Sequence, residues 1–143
     1  MPDRVFIDTN VFVYLFDSDT PAKQAVARRV LAGDGGDAHV VISTQVLQEF
    51  YVTVTRKLVT PLSEREAEGA ARDLAAFDVV DVDLDIVLRA IASARTHKIS
   101  LWDALIVEAG LTRSCQRLLT EDLQHGQRFG NLRVENPFRD LAQ

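Results

Sequence analysis

Four carboxylates stand out by their settings: Asp8 in VFIDTNVFVY, Glu49 in STQVLQEF, Asp103 in SLWDALIVEAG and Asp122 in LLTEDLQHG. Asp8 lies between two apolar runs with no Gly or Pro beside it, and a carboxylate is costly to bury unless something pairs with it. Taken alone, each acid has a plain structural reading. Asp8 and Asn10 would cap a helix, and Asp103 stands three residues after Ser100, the spacing of a capping box. Glu49 would ride an exposed helix face, and Asp122 would form a turn. Gathered together, the four would repel and raise one another's pKa. A hard divalent cation such as Mg²⁺ or Mn²⁺ removes that conflict, taking a few carboxylates plus waters and substrate phosphate. Cap and ligand are compatible roles for one side chain.

The elements decide whether the acids can meet. Val5 to Ile7 read as a short buried strand, followed by a helix after Asp8. Thr20-Pro21 opens a helix that ends before Gly33, and GDGGD is the loop beyond it. HVVI is a second strand, and Ser43 caps a helix with apolar positions 46, 47, 50, 54 and 58 at helical spacing. Ser63 and Glu66 form a capping box, with Ala67, Ala71 and Leu74 turned inward. FDVVDVDL reads as a third strand, with Asp85 capping a helix from Ile86 to about Thr96. Ser100 opens LWDALIVEAGLT, QRLLT is a fourth strand and LRVEN a fifth. Strands alternating with helices predict right-handed βαβ units. The expected fold is a three-layer α/β/α sandwich with a mostly parallel sheet of about five strands, one domain spanning residues 1–143. In such a sheet a ligand lies beyond the carboxyl ends of the strands, which is where the four acids fall.

Composition narrows the classes. The chain has 143 residues, enough for one core without staples. Its net charge of −5 argues against a general nucleic-acid binder. One cysteine, Cys115, allows no internal disulfide and suits a reducing cytoplasm. No apolar stretch reaches the roughly 18 residues of a membrane span, and the first residues lack the pattern of a signal peptide.

Quoted in order, FIDTNVFVY, STQVLQEF, SLWDALIVEAG and LLTEDLQHG resemble the motif set of PIN-domain ribonucleases, and within them the VapC-type toxins of bacterial toxin–antitoxin pairs. The resemblance covers essentially the whole chain. It implies a metal cluster of Asp8, Glu49, Asp103 and Asp122, with Thr9, Asn10, Ser43 and Thr120 at the supporting polar positions. It also implies a cytoplasmic endoribonuclease, a homodimer and a basic antitoxin segment over the acidic site. One or two ions would hold the scissile phosphate, lower the pKa of a bound water and stabilise the leaving 3′ oxygen. In-line attack would leave a 5′-phosphate and a 3′-hydroxyl. One departure stands out: many members carry a further acid two residues after the one matching Asp122, and here that residue is Gln124.

Two other classes compete. A phosphatase could use Asp8 as covalent nucleophile, although the second acid such enzymes want two residues on is Asn10 here. A PIN-like module could bind without catalysis, which the full set of four acids argues against. No Lys or His is expected beside the acids as an alternative base. His39, His97 and His125 are too scattered for zinc, and Asp78, Asp81, Asp83 and Asp85 lack the glycine and terminal glutamate of a calcium loop. Trp102 reads as core or interface, and Cys115 as a small buried residue.

Overall fold

A computed structural model of the chain describes residues 3–33 and 38–141; most of the expected GDGGD loop lies outside the described residues. In chain order the elements are β1 (Arg4–Ile7), α1 (Thr9–Tyr14), α2 (Pro21–Leu31), β2 (His39–Ser43), α3 (Thr44–Arg56), α4 (Glu64–Leu74), β3 (Asp78–Val80), α5 (Leu84–His97), α6 (Leu101–Thr112), β4 (Arg117–Leu119), β5 (Arg128–Phe129) and β6 (Leu132–Glu135).

These strands form one sheet in the order β3-β2-β1-β4-β6-β5. Every pairing is parallel except that of β5 with β6. The chain first steps outward from β1 through β2 to β3, then returns to the other side of β1 as β4. Right-handed crossovers place α1 to α4 on one face and α5 with α6 on the other, in keeping with the packing of α1 on α2 and α3, α3 on α4, and α5 on α6. The order therefore reverses between β1 and β4, and a crevice must open beyond their carboxyl ends.

The core explains the segments. Phe6, Ile7, Ile42, Leu118 and Leu132 come from strands, while Phe12, Val46, Phe50 and Val54 face them from helices, and all are fully buried. The buried positions of α3 follow the expected spacing. Gly110 lets α6 lie close on the sheet: a Cβ there would meet Leu132 Cδ2 at 3.3 Å and Phe6 Cβ at 3.6 Å. That close seat fixes α6, and with it Asp103, against β1 and β6.

Three expectations change in detail. The sheet has six strands, because two-residue β5 folds back on β6 across Gly130 and Asn131. The helix after β3 begins earlier than expected, with Asp83 and not Asp85 as its cap; Asp83 Oδ1 accepts from the Ile86 N–H at 2.9 Å. β3 ends at Val80, so the chain turns sooner, and Asp85 pairs with Arg89 along the helix. Thr20 precedes α2 without a side-chain cap, its hydroxyl turning to the Asp17 carbonyl at 3.4 Å. The other caps are as expected: Ser43 accepts from Val46, Ser63 and Glu66 exchange both bonds, and Ser100 accepts from Asp103. Among the described residues no helix is long and apolar enough to cross a membrane.

Candidate metal centre

Asp8 follows the last residue of β1 and is 5% exposed. Its backbone N–H donates to the Leu119 carbonyl at 3.0 Å, which ties it to the end of β4. Its carboxylate is held on both oxygens: the Thr9 N–H donates to Oδ1 at 2.7 Å and the Thr120 hydroxyl to Oδ2 at 2.8 Å. Those bonds favour the charged form, yet burial outweighs them, and the neighbouring Asp122 and Glu49 add to it. The Asp8 carboxyl is pushed up to about 7.

The remaining acids approach from three directions. Glu49, half-buried on α3, accepts at Oε1 from the Thr9 hydroxyl at 3.0 Å, while Gln45 Nε2 stands 3.5 Å from Oε2. Asp122 lies in the loop after β4, its N–H donating to the Thr120 hydroxyl oxygen at 3.1 Å. Partial desolvation raises its pKa first, and the charges of Asp103, Glu121 and Glu49 raise it further. Asp103 sits in the first turn of α6, and its backbone N–H donates to Ser100 Oγ at 3.0 Å. The return bond of a full capping box, from the Ser100 N–H to the Asp103 carboxylate, is absent among the described residues.

Asp8, Thr9, Asn10, Glu49 and Asp122 line one cleft of about 390 Å³. Asp103 is not on that wall and reaches it through its charge on Asp122. Ser43 and Thr120 are buried, the first only capping α3 and the second tying Asp8 to the Asp122 backbone. The expected four-carboxylate cluster is therefore looser than a finished ligand shell. Among the described residues, no three side chains of ligating type stand together at the spacing that grips an ion. Like charges spread when left to themselves, and Thr9 and Gln45 draw Glu49 to their own donors. The donor chemistry still fits a hard divalent cation, since every acid offers oxygen and Asp8 is a buried carboxylate with no cationic partner among the described residues.

Several residues of the site escaped the sequence reading. Gln48, Thr53 and Lys57 extend the cleft along α3, so a lysine lines its far end although none stands beside the acids. Lys57 is eight residues beyond Glu49, about 12 Å along a helix axis, too far to act at the acids. The signal was present: Glu49, Thr53 and Lys57 follow one another every four residues, alongside the buried Val46, Phe50 and Val54. Glu121 was also missed. It accepts from the Tyr14 hydroxyl, from Lys23 Nζ at 3.0 Å and from Asn10 Nδ2 at 3.4 Å, binding α1 and α2 to the loop that carries Asp122. Trp102, expected in a core or interface, is 62% exposed on this chain, while Cys115 is buried and its thiol is pushed up to about 12.

The sequence matches the family model described as PIN domain over residues 5–128. No curated protein matches the sequence. Among solved structures, a toxin–antitoxin complex from Klebsiella pneumoniae superposes with a TM-score of 0.69 at 20% identity, covering 93% of this chain and 97% of that one. VapC20 of Mycobacterium tuberculosis, a Sarcin-Ricin loop cleaving toxin, gives 0.65 at 23% identity over 80% of this chain and 86% of its own. VapBC2 from Rickettsia felis, bound to a DNA fragment from its promoter, gives 0.62 at 16% identity, covering 93% and 98%. At these identities the likeness is one of fold.

Proposed function

Because this chain belongs to the PIN domain family, we propose that it is a divalent-metal-dependent endoribonuclease, the toxin of a toxin–antitoxin pair. The observation that carries the reading is Asp8. A buried carboxylate pushed up to about 7, facing Asp122 and Glu49 at the point where strand order reverses, is a site waiting for positive charge.

In this reading Asp8, Glu49, Asp103 and Asp122 hold Mg²⁺ or Mn²⁺, and the bound ion supplies positive charge against the scissile phosphate and the leaving 3′ oxygen. The protein's own groups do the positioning. Thr9 and Thr120 fix both oxygens of Asp8 so that its carboxylate cannot swing. The Thr9 hydroxyl aligns Glu49 at the same time, and Thr120 sets the backbone of Asp122. Lys57, at the far end of the cleft, receives a phosphate distant from the cut.

Partners follow from the same surface. An acidic crevice on a net-acidic chain calls for a basic complement, which supports a basic antitoxin segment; the Klebsiella relative is a toxin–antitoxin complex. A homodimer is supported by α5, where Leu84, Leu88 and Ile91 are 74%, 56% and 52% exposed along one stripe. Acids at Asp81 and Asp83 precede that stripe and Arg95 with Lys98 follow it, so antiparallel pairing of two copies matches opposite charges. The proposed location is the cytoplasm.

The test is cleavage of single-stranded or loop RNA by the purified chain. Cutting should require Mg²⁺ or Mn²⁺, stop with EDTA and leave 5′-phosphates. Equal cutting in EDTA, or ends carrying a 2′,3′-cyclic phosphate, would sink the proposal.

A further inference from the structure

The crevice does not end at Asp122. A second cavity, of about 640 Å³, shares Asp122 as part of its wall and runs between the start of α2 and the turn that begins at Asn136. Two cations, Lys23 and Arg139, and two acids, Glu121 and Asp122, border it. Lys23 Nζ is committed to Glu121 at 3.0 Å and to the Tyr14 hydroxyl oxygen at 3.1 Å. Arg139 is placed differently. Its Nη1 lies 2.7 Å from Nε2 of His125, while the Asn136 N–H points at Nδ1 of the same ring at 3.1 Å.

A neutral imidazole has one acceptor nitrogen, not two. The Asn136 N–H is fixed by its turn, in which Asn136 Oδ1 accepts from the Phe138 N–H at 2.9 Å. The guanidinium rides an exposed, rotatable side chain. Assigning the tautomer by the fixed donor makes Nδ1 the acceptor and puts the proton on Nε2. The Nε2–H and the guanidinium then meet donor to donor. An anion that accepts from both, admitted by a swing of the exposed guanidinium, resolves the contact.

We propose that this cavity binds a backbone phosphate of the substrate RNA beside the scissile one, held by the Arg139 guanidinium on its wall and backed by the Nε2–H of His125, which stands behind Arg139 and outside the lining. Lys23 and the amide of Asn136 line the approach. The inference rests on the ribonuclease reading, because Asp122 is the wall common to both cavities. It gives the strand a path, with Lys57 at one end of the acidic crevice and Arg139 at the other, a cation at each margin of a surface whose middle is acidic. The substrate is then a strand extending past the cut, not a dinucleotide.

The full chain tests this with a fluorescein-labelled single-stranded RNA, by polarisation in EDTA across a salt series and by steady-state cleavage in Mg²⁺. Arg139→Ala should weaken binding about tenfold and lower the slope of log affinity against log salt by about 1. It should also raise KM more than it lowers kcat. Arg139→Lys should restore the slope. Inorganic phosphate should compete with RNA on the wild type and lose that effect on Arg139→Ala. Arg65→Ala, on the distant α4, should behave as wild type. An unchanged slope and KM in Arg139→Ala overturns the proposal. Should that variant melt below the wild type, Arg139→Gln carries the same measurement. A wild type whose binding depends on Arg139 but which never cuts sinks the ribonuclease reading and leaves the phosphate site standing. Cutting that ignores Arg139 does the reverse.

Discussion

The Thr120 hydroxyl donates to Asp8 Oδ2 at 2.8 Å across two neighbouring strands, from 112 residues away in sequence. The same oxygen accepts from the Asp122 N–H at 3.1 Å, so one side chain sets two of the acids. Thr120→Val keeps the shape and removes both bonds. Leaving a buried carboxylate oxygen and an N–H short of partners should cost about 1–3 kcal/mol, read by thermal melts in EDTA. RNA cleavage should fall along with it. A variant as stable and active as the wild type would leave Thr120 a packing residue.

Asp8 predicts a pH dependence whose sign is opposite to that of an ion-paired aspartate. Its folded pKa of about 7 lies above the ordinary 3.8, so between those values the folded chain holds a proton that the unfolded chain has lost. Stability of the metal-free protein should therefore fall as pH rises from about 4 to about 7. Asp8→Asn should flatten that fall and melt higher than the wild type in EDTA at pH 7. Parallel melting curves for the two proteins across this range would contradict the assignment.

Asp103 separates cap from ligand. The capping bond at Ser100 uses the Asp103 backbone, and its carboxylate contributes repulsion at Asp122. Asp103→Asn should hold or raise stability in EDTA, shrink the gain that millimolar Mg²⁺ gives the wild type and abolish cleavage. A variant that melts lower by roughly 0.3–1 kcal/mol, responds normally to Mg²⁺ and still cuts RNA would make Asp103 a cap alone.

Glu121 should behave as an anchor. With Lys23, Tyr14 and Asn10 already on its carboxylate, Glu121→Gln should lower stability by about 1 kcal/mol while the Mg²⁺-dependent rise in melting temperature persists. Loss of that rise would instead make Glu121 a ligand.

The stripe on α5 should hold two copies together. Light scattering at micromolar concentration should show a dimer, and Leu88→Glu should yield a folded monomer. A wild-type monomer would remove the dimer from the reading.

The layers, the sheet direction and the shared cleft of Asp8, Glu49 and Asp122 were legible because each rests on short-range signals: apolar runs, serine caps and the residue after a strand. β5 escaped because two residues carry no periodicity, although Gly130-Asn131 between Phe129 and Leu132 is a hairpin signal. Asp83 and Asp85 are equally good caps by type, and only the end of β3 at Val80 chooses between them. The Lys23–Glu121–Tyr14 contact joins residues up to 107 apart, which no local pattern encodes. The loose spacing of the carboxylates was hidden for the same reason, since it is set by how Thr9 and Gln45 orient Glu49 across α1 and α3.

The strand order also bears on how the chain is made. β1 is translated first, yet its partner on the Asp122 side is β4, with Val5 registered against Arg117. A growing chain at the ribosome can pair β1 with β2 early, but it cannot join Asp8 to Thr120 and Asp122 until β4 has emerged. Such distant pairing is slow and comes late in folding. The nuclease proposed here would therefore stay inert through most of its own synthesis, beside the ribosomal and messenger RNA that surround every nascent chain.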